Sequence, residues 1–426
     1  MEATCTIDDL GPLPVERPGS ARELGERVRR AREAGEALYP CGGQTMFELG
    51  LPPTKRGVVL DLGQLHGVID YPAQDMTITV QTGVRLATLQ EILAPENQRL
   101  PIDVPCPEQA TLGGALACNV SGPRRLGFGT LRDYVIGLHW VEDEGHEVKA
   151  GGRVVKNVAG YDLCKLHIGA LGTLGILTQV TLKLRPLPET RALVILGCAT
   201  GSLGPLLDAL HQTRTRPCCV EVLNRSAAGN VAEHTGLSLP DAPWVIVVGY
   251  EDNEVAVRWQ VGQLIGEVSQ QSIQGLEALA GDTTHALWNA LVALTLSPLG
   301  DGFPRPPQQA LSFKANLLPG AVASFCETVL ASTPEVLVQA QASSGIVRGH
   351  LVGDLTLAST QAMLEGWHTE VSRAQGNLVL PRCPVAWKRQ LPVWGQPRGD
   401  LGLMRSIKEK LDPRGLFNPG RFLAGI

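Results

Sequence analysis

Four short stretches of this chain combine glycine with hydroxyl, amide and guanidinium side chains. They are Pro40-Cys41-Gly42-Gly43-Gln44-Thr45, Ala110-Thr111-Leu112-Gly113-Gly114, Asn119-Val120-Ser121-Gly122-Pro123-Arg124-Arg125 and Gly169-Ala170-Leu171-Gly172-Thr173-Leu174-Gly175-Ile176. Their common chemistry is anion binding: backbone without side chains approaches a ligand closely, and its N–H groups donate to anionic oxygens. Thr45 adds a hydroxyl donor. Thr111 suits the N-cap of a helix, and small residues there let a phosphate reach the positive helix end. Arg124 and Arg125 either neutralise phosphate or form surface ion pairs. Three glycines leading into a strand, Gly169, Gly172 and Gly175, are costly unless a ligand or a bend needs them. One such loop is an ordinary tight turn; four in one domain-sized stretch point to a long anionic ligand, a dinucleotide. The first loop is not Gly-x-Gly-x-x-Gly, and only Asp61 stands where a ribose would need an acid, so a Rossmann nicotinamide site fits poorly.

The elements that position these loops follow from hydrophobic pattern. A strand over 37–39 feeds the first loop, 58–61 forms another, and 76–81 alternates as a half-buried strand does. Leu86, Leu89 and Leu93 recur at helical spacing. Strands over 135–142 and 147–149 flank Glu144-Gly145 as a hairpin. Residues 176–184 form a long strand, and Pro186 and Pro188 mark a boundary after it. Beyond 190, strands (192–198, 220–223, 244–249) alternate with helices (203–210, 254–265). A similar order recurs at 309–317, 322–330, 335–341, 345–351 and 361–373, which predicts an α+β domain around an antiparallel sheet. The Pro-rich 296–307 stretch reads as a loop between its halves. A stripe of Leu403, Met404, Ile407 and Leu411 predicts a last helix, followed by a turn over 417–421.

Composition narrows the function classes. A chain of 426 residues is expected to form two or three domains of roughly 150 residues each. An apolar fraction of 44% supports packed cores rather than disorder. A net charge of −5 with dispersed Lys and Arg argues against a nucleic-acid groove. The Arg-rich run from Arg22 to Arg32, interleaved with glutamates, reads as a solvated helix face. The acidic start lacks a leader pattern and no apolar run reaches the roughly 18 residues of a membrane span. The expectation is a cytoplasmic chain, peripheral at the inner membrane only through partners. The ten cysteines contain no Cys-x-x-Cys, so neither a zinc ribbon nor an iron–sulfur cluster is expected. The Cys218-Cys219 pair reads as core, and the rest as reduced thiols.

The first two loops, Ser121-Gly122-Pro123-Arg124-Arg125, Lys156-Asn157-Val158-Ala159-Gly160-Tyr161-Asp162-Leu163 and Gly172-Thr173-Leu174-Gly175-Ile176-Leu177-Thr178 together resemble a known domain. It is the FAD-binding domain of the vanillyl-alcohol-oxidase/para-cresol-methylhydroxylase (PCMH-type) superfamily of FAD-linked oxidases. Leu411-Asp412-Pro413-Arg414-Gly415-Leu416-Phe417-Asn418-Pro419-Gly420-Arg421 resembles its carboxy-terminal signature. Within the superfamily, the 156–163 segment and the modest length look most like the FAD-binding E subunit of glycolate oxidase.

The resemblance implies an α+β fold in three parts. A PCMH-type FAD-binding domain over 1–189 would hold two α+β subdomains, about 20–72 and 73–189. An α+β cap domain with an antiparallel sheet would span 190–380, and 381–426 would return a helix to the FAD domain. It implies FAD between the subdomains. Pro40, Gly42, Gly43, Gln44 and Thr45 would surround its phosphates, joined by Gly113, Gly114, Asn119, Ser121, Gly122 and Arg124. Gly172, Gly175 and Ile176 would lie by the flavin or ribityl chain. Some relatives attach FAD through a His in the first loop; Gln44 stands there, so non-covalent FAD is expected. Many 2-hydroxy-acid dehydrogenase relatives use a Gly-Glu-His-Gly segment in catalysis. This chain lacks it, and His350, in Gly349-His350, is the nearest candidate base. Lys156 and Arg348 are candidate carboxylate or flavin contacts. Three functions stay open. One is an FAD-binding subunit of a glycolate (2-hydroxy acid) dehydrogenase complex, beside a second FAD-binding catalytic subunit and passing electrons to an iron–sulfur subunit. The others are a non-catalytic flavin-holding assembly subunit, and a stand-alone FAD-dependent lactone or sugar oxidase.

Overall fold

A computed structural model describes residues 3–153, 161–299, 310–396 and 399–426. Lys156, with most of its motif, and most of the 296–307 loop lie outside the described residues. The chain forms two compact units. The first is Met1–Val120, Thr130–Leu187 and Pro397–Ile426; the second is Ser121–Gly129 and Pro188–Gln396. The second unit runs past 380 because Asn377–Arg382 pairs with Leu311–Asn316 as a sheet edge. It includes 121–129 because the Gly127 N–H donates to the Cys218 carbonyl at 3.1 Å and Arg124 pairs with Glu251.

The first unit holds a four-stranded mixed sheet in the order Thr4–Ile7, Leu10–Glu16, Gly57–Asp61, Ala37–Cys41. Ala37–Cys41 and Leu10–Glu16 run parallel to Gly57–Asp61. Helix Ala21–Ala34 starts where the Ser20 hydroxyl accepts from the Glu23 N–H and ends at Gly35 in the left-handed region, where glycine carries no Cβ penalty. Its apolar stripe, Leu24, Val28 and Ala31, packs on Leu38, Val58, Leu60 and the C-terminal Leu416 and Phe417. The Arg-rich face is not wholly solvated: Arg27 is buried and bridges Glu16 at 2.7 Å and Glu36 at 2.5 Å. A five-stranded antiparallel sheet follows, in the order Val68–Asp70, Thr77–Gln81, Ile176–Lys183, Val135–Val141, Glu147–Gly151.

The second unit is built on an eight-stranded antiparallel sheet. Its order is Ile273–Ala280, Thr190–Cys198, Trp244–Asp252, Cys219–Asn224, Leu337–Gln341, Ile346–Leu351, Leu311–Asn316, Asn377–Arg382. On one face Phe313 meets Phe325 and Trp367 of helices Val322–Ser332 and Leu357–Arg373. The other face changes character midway. Toward Thr190–Cys198 it is apolar, and Leu193, Ile195, Cys219, Val245 and Val247 pack with helices Arg225–Thr235 and Thr284–Leu294. Toward Leu311–Asn316 it turns polar. None of the ten cysteines is joined in a disulfide. Among the described residues no helix is long and apolar enough to cross a membrane.

Candidate functional site

Three of the four glycine-bearing stretches meet in the first unit. Pro40, Gly42, Gly43, Gln44 and Thr45, Gly113 and Gly114, and Gly172 and Gly175 line one cleft. Its empty volume is about 930 Å³ including the open mouth, within the size range of cofactor sites. The first loop leaves the carboxyl end of Ala37–Cys41, where parallel strands present ligands. Among the described residues, the N–H groups of Gly43, Gln44, Thr45 and Met46 donate to no protein acceptor. Gln44 sits at φ 58°. Consecutive free amides around a left-handed residue make a concave anion seat, and Leu62, Leu177 and Ala117 add apolar wall. This donor set fits the pyrophosphate and flat rings of FAD.

Several expected contacts differ. Thr111 caps helix Leu112–Cys118, its hydroxyl accepting from the Gly114 N–H at 3.3 Å. The Leu112 and Gly113 N–H groups, however, donate to the Val84 and Thr82 carbonyls at 2.9 and 2.7 Å. The first turn therefore keeps no free amide for a phosphate. Nor do all the glycines serve the ligand. A Cβ on Gly43 would lie 1.8 Å from the Gln109 carbonyl oxygen, so Gly43 lets two loops pack together. A Cβ on Gly114 would meet only its own cap, Thr111 Oγ1, at 3.2 Å. Ile176 is buried in the core with Leu24 and Leu38; strand alternation turns its neighbour Leu177 into the cleft instead. Asn119 ends the helix at φ 49° and does not line the cleft; its Oδ1 is buried without a partner among the described residues.

Ser121, Gly122 and Arg124 belong to the second unit and are not among the cleft-lining residues. Arg124 grips the buried Glu251 carboxylate through bonds of 2.6–3.1 Å and lies over the Trp288 ring. Its charge is therefore matched inside the unit rather than by phosphate.

The carboxy-terminal turn has a role that sequence reading left unassigned. Arg421 Nη2 donates to the Phe47 and Leu49 carbonyls at 2.6 and 2.7 Å, and its Nη1 lies 3.4 Å from Asp8. Asn418 Nδ2 donates to the Leu171 carbonyl at 2.6 Å. One turn thus fixes the first and fourth glycine stretches, and both residues line the cleft. Two thiols also line it. Burial pushes Cys41 and Cys118 up to about 12, so both stay protonated at neutral pH and are poor nucleophiles.

The polar face of the second unit gathers a further set. Lys314, Arg348 and Gln339 lie in one cross-strand row, with Ser312 and His350 in the next and Gln341 and Glu221 beyond. Arg348 is only 7% exposed. Its Nη2 donates to the Ser121 carbonyl at 3.1 Å, while Nη1 has no partner among the described residues. Both amide atoms of Gln341 and the Gln339 Oε1 are likewise buried and unpartnered. A buried polar group left unpaired costs about 1–3 kcal/mol, so a cluster of them marks a place for a polar ligand. Burial, then the nearby Arg348 and Arg125 charges, push Lys314 down to about 7. Burial lowers Arg348 to about 10, which leaves it charged.

His350 does not serve as the expected base. Its Nε2 points at the Leu294 carbonyl (2.7 Å) and its Nδ1 at the Ser312 hydroxyl (2.9 Å). The carbonyl requires the hydrogen on Nε2, so Nδ1 accepts from Ser312 and no lone pair is left. Burial pushes His350 and His167 down to about 4, and both are neutral in the fold. An unfolded histidine takes up its proton near 6.5. Stability from these two groups is therefore complete above about pH 6.5 and is lost as pH falls toward 4. The loss reaches roughly 3 kcal/mol per histidine. Urea titrations at pH 7 and pH 4.5 are expected to show this fall, and His167→Phe to remove part of it.

A model of the FAD binding domain matches residues 12–151, and one of the C-terminal domain of FAD linked oxidases matches residues 395–422. The chain is 37% identical over 170 residues to glycolate oxidase subunit GlcE of Escherichia coli, covering 40% of this chain and 48% of that protein. It is 27% identical to a D-2-hydroxyglutarate dehydrogenase of Xanthomonas citri, covering 96% of this chain and 89% of the relative. It is 32% identical to glycolate oxidase subunit GlcD of Bacillus subtilis, covering 57% and 52%. The matches to the two glycolate oxidase subunits thus span about half of each. Among solved structures, 4-ethylphenol oxidase from Gulosibacter chungangensis superposes with a TM-score of 0.72 at 17% identity, covering 99% of this chain and 90% of the other. That likeness concerns the fold alone.

Proposed function

We propose that this chain, an FAD-dependent oxidoreductase with the fold of the FAD-linked oxidases, is the flavin subunit of a 2-hydroxy-acid dehydrogenase complex that oxidises glycolate to glyoxylate. The cofactor is FAD, held non-covalently: Gln44 and two protonated thiols offer it no nucleophile. The amides of 43–46 hold the pyrophosphate. Bound FAD supplies the two-electron oxidant for the substrate's α-carbon. An iron–sulfur partner takes the electrons onward, since the chain has no Cys-x-x-Cys of its own.

The observation that carries the substrate class is the unpartnered Arg348 Nη1 beside Lys314 on a buried polar face. A buried guanidinium with one nitrogen left unpartnered among the described residues suits a carboxylate. Holding that carboxylate orients the carbon beside it, which is where the reaction occurs. Arg348→Met is expected to raise KM for glycolate roughly 10- to 100-fold, the worth of a charged hydrogen bond of about 1.5–3 kcal/mol. FAD content should stay at the wild-type level. An unchanged KM would remove Arg348 from the site.

A flavin-holding assembly role is the second reading. The missing Gly-Glu-His-Gly segment and the engaged nitrogens of His350 favour it. Turnover of glycolate by the purified FAD-loaded chain with an artificial electron acceptor separates the two: activity rejects the assembly role.

A further inference from the structure

We infer that Lys314 is the proton acceptor of the polar face: with the substrate carboxylate on Arg348, the Lys314 amine takes the proton of the adjacent hydroxyl. This rests on the 2-hydroxy-acid reading above and supplies the base that reading lacks.

Register gives the geometry. Lys314 and Arg348 are direct partners in the antiparallel pair of Leu311–Asn316 with Ile346–Leu351. Direct partners share a face with Cβ atoms about 4.5–5.5 Å apart. A small hydroxy acid spans such a pair, carboxylate to guanidinium and hydroxyl to amine. Availability agrees: the Lys314 amine donates to no protein group among the described residues, and the facing Arg348 Nη1 is unpartnered.

The alternatives on this face are engaged. His350 has both nitrogens bonded. Glu221 Oε2 accepts from Gln339 at 2.7 Å, and its negative charge balances Arg348. The charged neighbours of Lys314 are Arg348 on one adjacent strand and Arg125 on the 121–129 segment. Its partner on the other adjacent strand is the uncharged Val379. Two like charges and burial disfavour the ammonium, so the amine titrates near 7 rather than near 10. A base with that value is well matched to neutral pH.

The step balances simply. The hydroxyl O–H bond breaks and an N–H bond forms, making an ammonium that later returns its proton to water. The α-hydrogen leaves with its electron pair, the FAD of this enzyme being the two-electron oxidant, and the product is a 2-oxo acid.

The test uses the FAD-loaded full chain with an artificial acceptor, and with its partner subunits where those are required for turnover. For the wild type, kcat/KM for glycolate should rise with pH through a value near 7. Lys314→Met and Lys314→Arg should lose at least 100-fold in kcat while KM and FAD content stay close to wild type. Ethylamine should restore part of the activity of Lys314→Ala. Independently of turnover, acetylation of the wild-type chain at graded pH, read by mass spectrometry, should give a Lys314 midpoint near 7. Glyoxylate should protect that lysine.

A midpoint above 9, or a Lys314→Arg enzyme with wild-type kcat, overturns the inference and leaves the parent reading intact. Loss of activity in Glu221→Gln with full activity in Lys314→Met also overturns it, moving the role to Glu221. A wild type that oxidises no 2-hydroxy acid, with or without its partners, overturns the parent reading and this one with it.

Discussion

Gly114→Leu gives a folded protein without flavin. Gly114 lines the cleft, and a Cβ there meets nothing nearer than Thr111 Oγ1 at 3.2 Å. The backbone at this position is ordinary helix, so leucine brings no conformational penalty. Its side chain instead grows into the space the dinucleotide needs. Loss of at least 1,000-fold in FAD affinity, about 4 kcal/mol, is expected with circular dichroism unchanged. The measurement is the ratio of flavin to protein absorbance after gel filtration from excess FAD. Gly43→Ala is the contrasting case, in which the fold itself is disturbed. Its Cβ would collide with the Gln109 carbonyl at 1.8 Å, so it disturbs the loop packing and lowers stability as well as flavin content. Full flavin retention by Gly114→Leu would mean that this cleft is not the cofactor site.

The second large effect is structural. Arg421→Met should strip the first unit of 3–5 kcal/mol. The guanidinium holds two carbonyls and faces Asp8, whose side chain is only 2% exposed. Removing the cation takes a charged partner from a buried carboxylate and the guanidinium donor from two carbonyls, the kind of change that costs about 3–5 kcal/mol. Calorimetry should show the transition falling by roughly 2–4 °C per kcal/mol. Arg421→Lys should rescue little, because one ammonium on a flexible stem does not reproduce the planar fork. Flavin retention should weaken in parallel, since Phe47 and Leu49 belong to the cleft wall.

Much of this architecture is written in local pattern. The alternation over Thr77–Gln81 and Ile176–Lys183, the leucine spacing of Leu86–Leu93 and the Thr111 cap are all local signals, and each element stands where its signal lies. The amino-terminal strands were not legible, because Pro12 and Pro14 argue against a strand. They are tolerated because only Val15 and Glu16 pair with Gly57–Asp61. Residues of the cleft were legible by type but not always by direction. Ile176 and Leu177 are adjacent and alike, and only the sheet's packing decides which faces inward. Arg124 looked like a phosphate ligand because its partner, Glu251, is 127 residues away. The polar face did leave a trace: Ser312 and Lys314, Gln339 and Gln341, and Arg348 and His350 each occupy alternate positions of apolar strands. What no single strand discloses is that these three pairs lie side by side.

The most direct test of the whole reading is the colour of the purified chain and where that colour goes in acid. One FAD per chain, seen as oxidised-flavin absorbance and released wholly into the supernatant on acid precipitation, is the predicted result. A colourless chain that takes up no FAD from solution, or pigment that stays with the pellet, would contradict it.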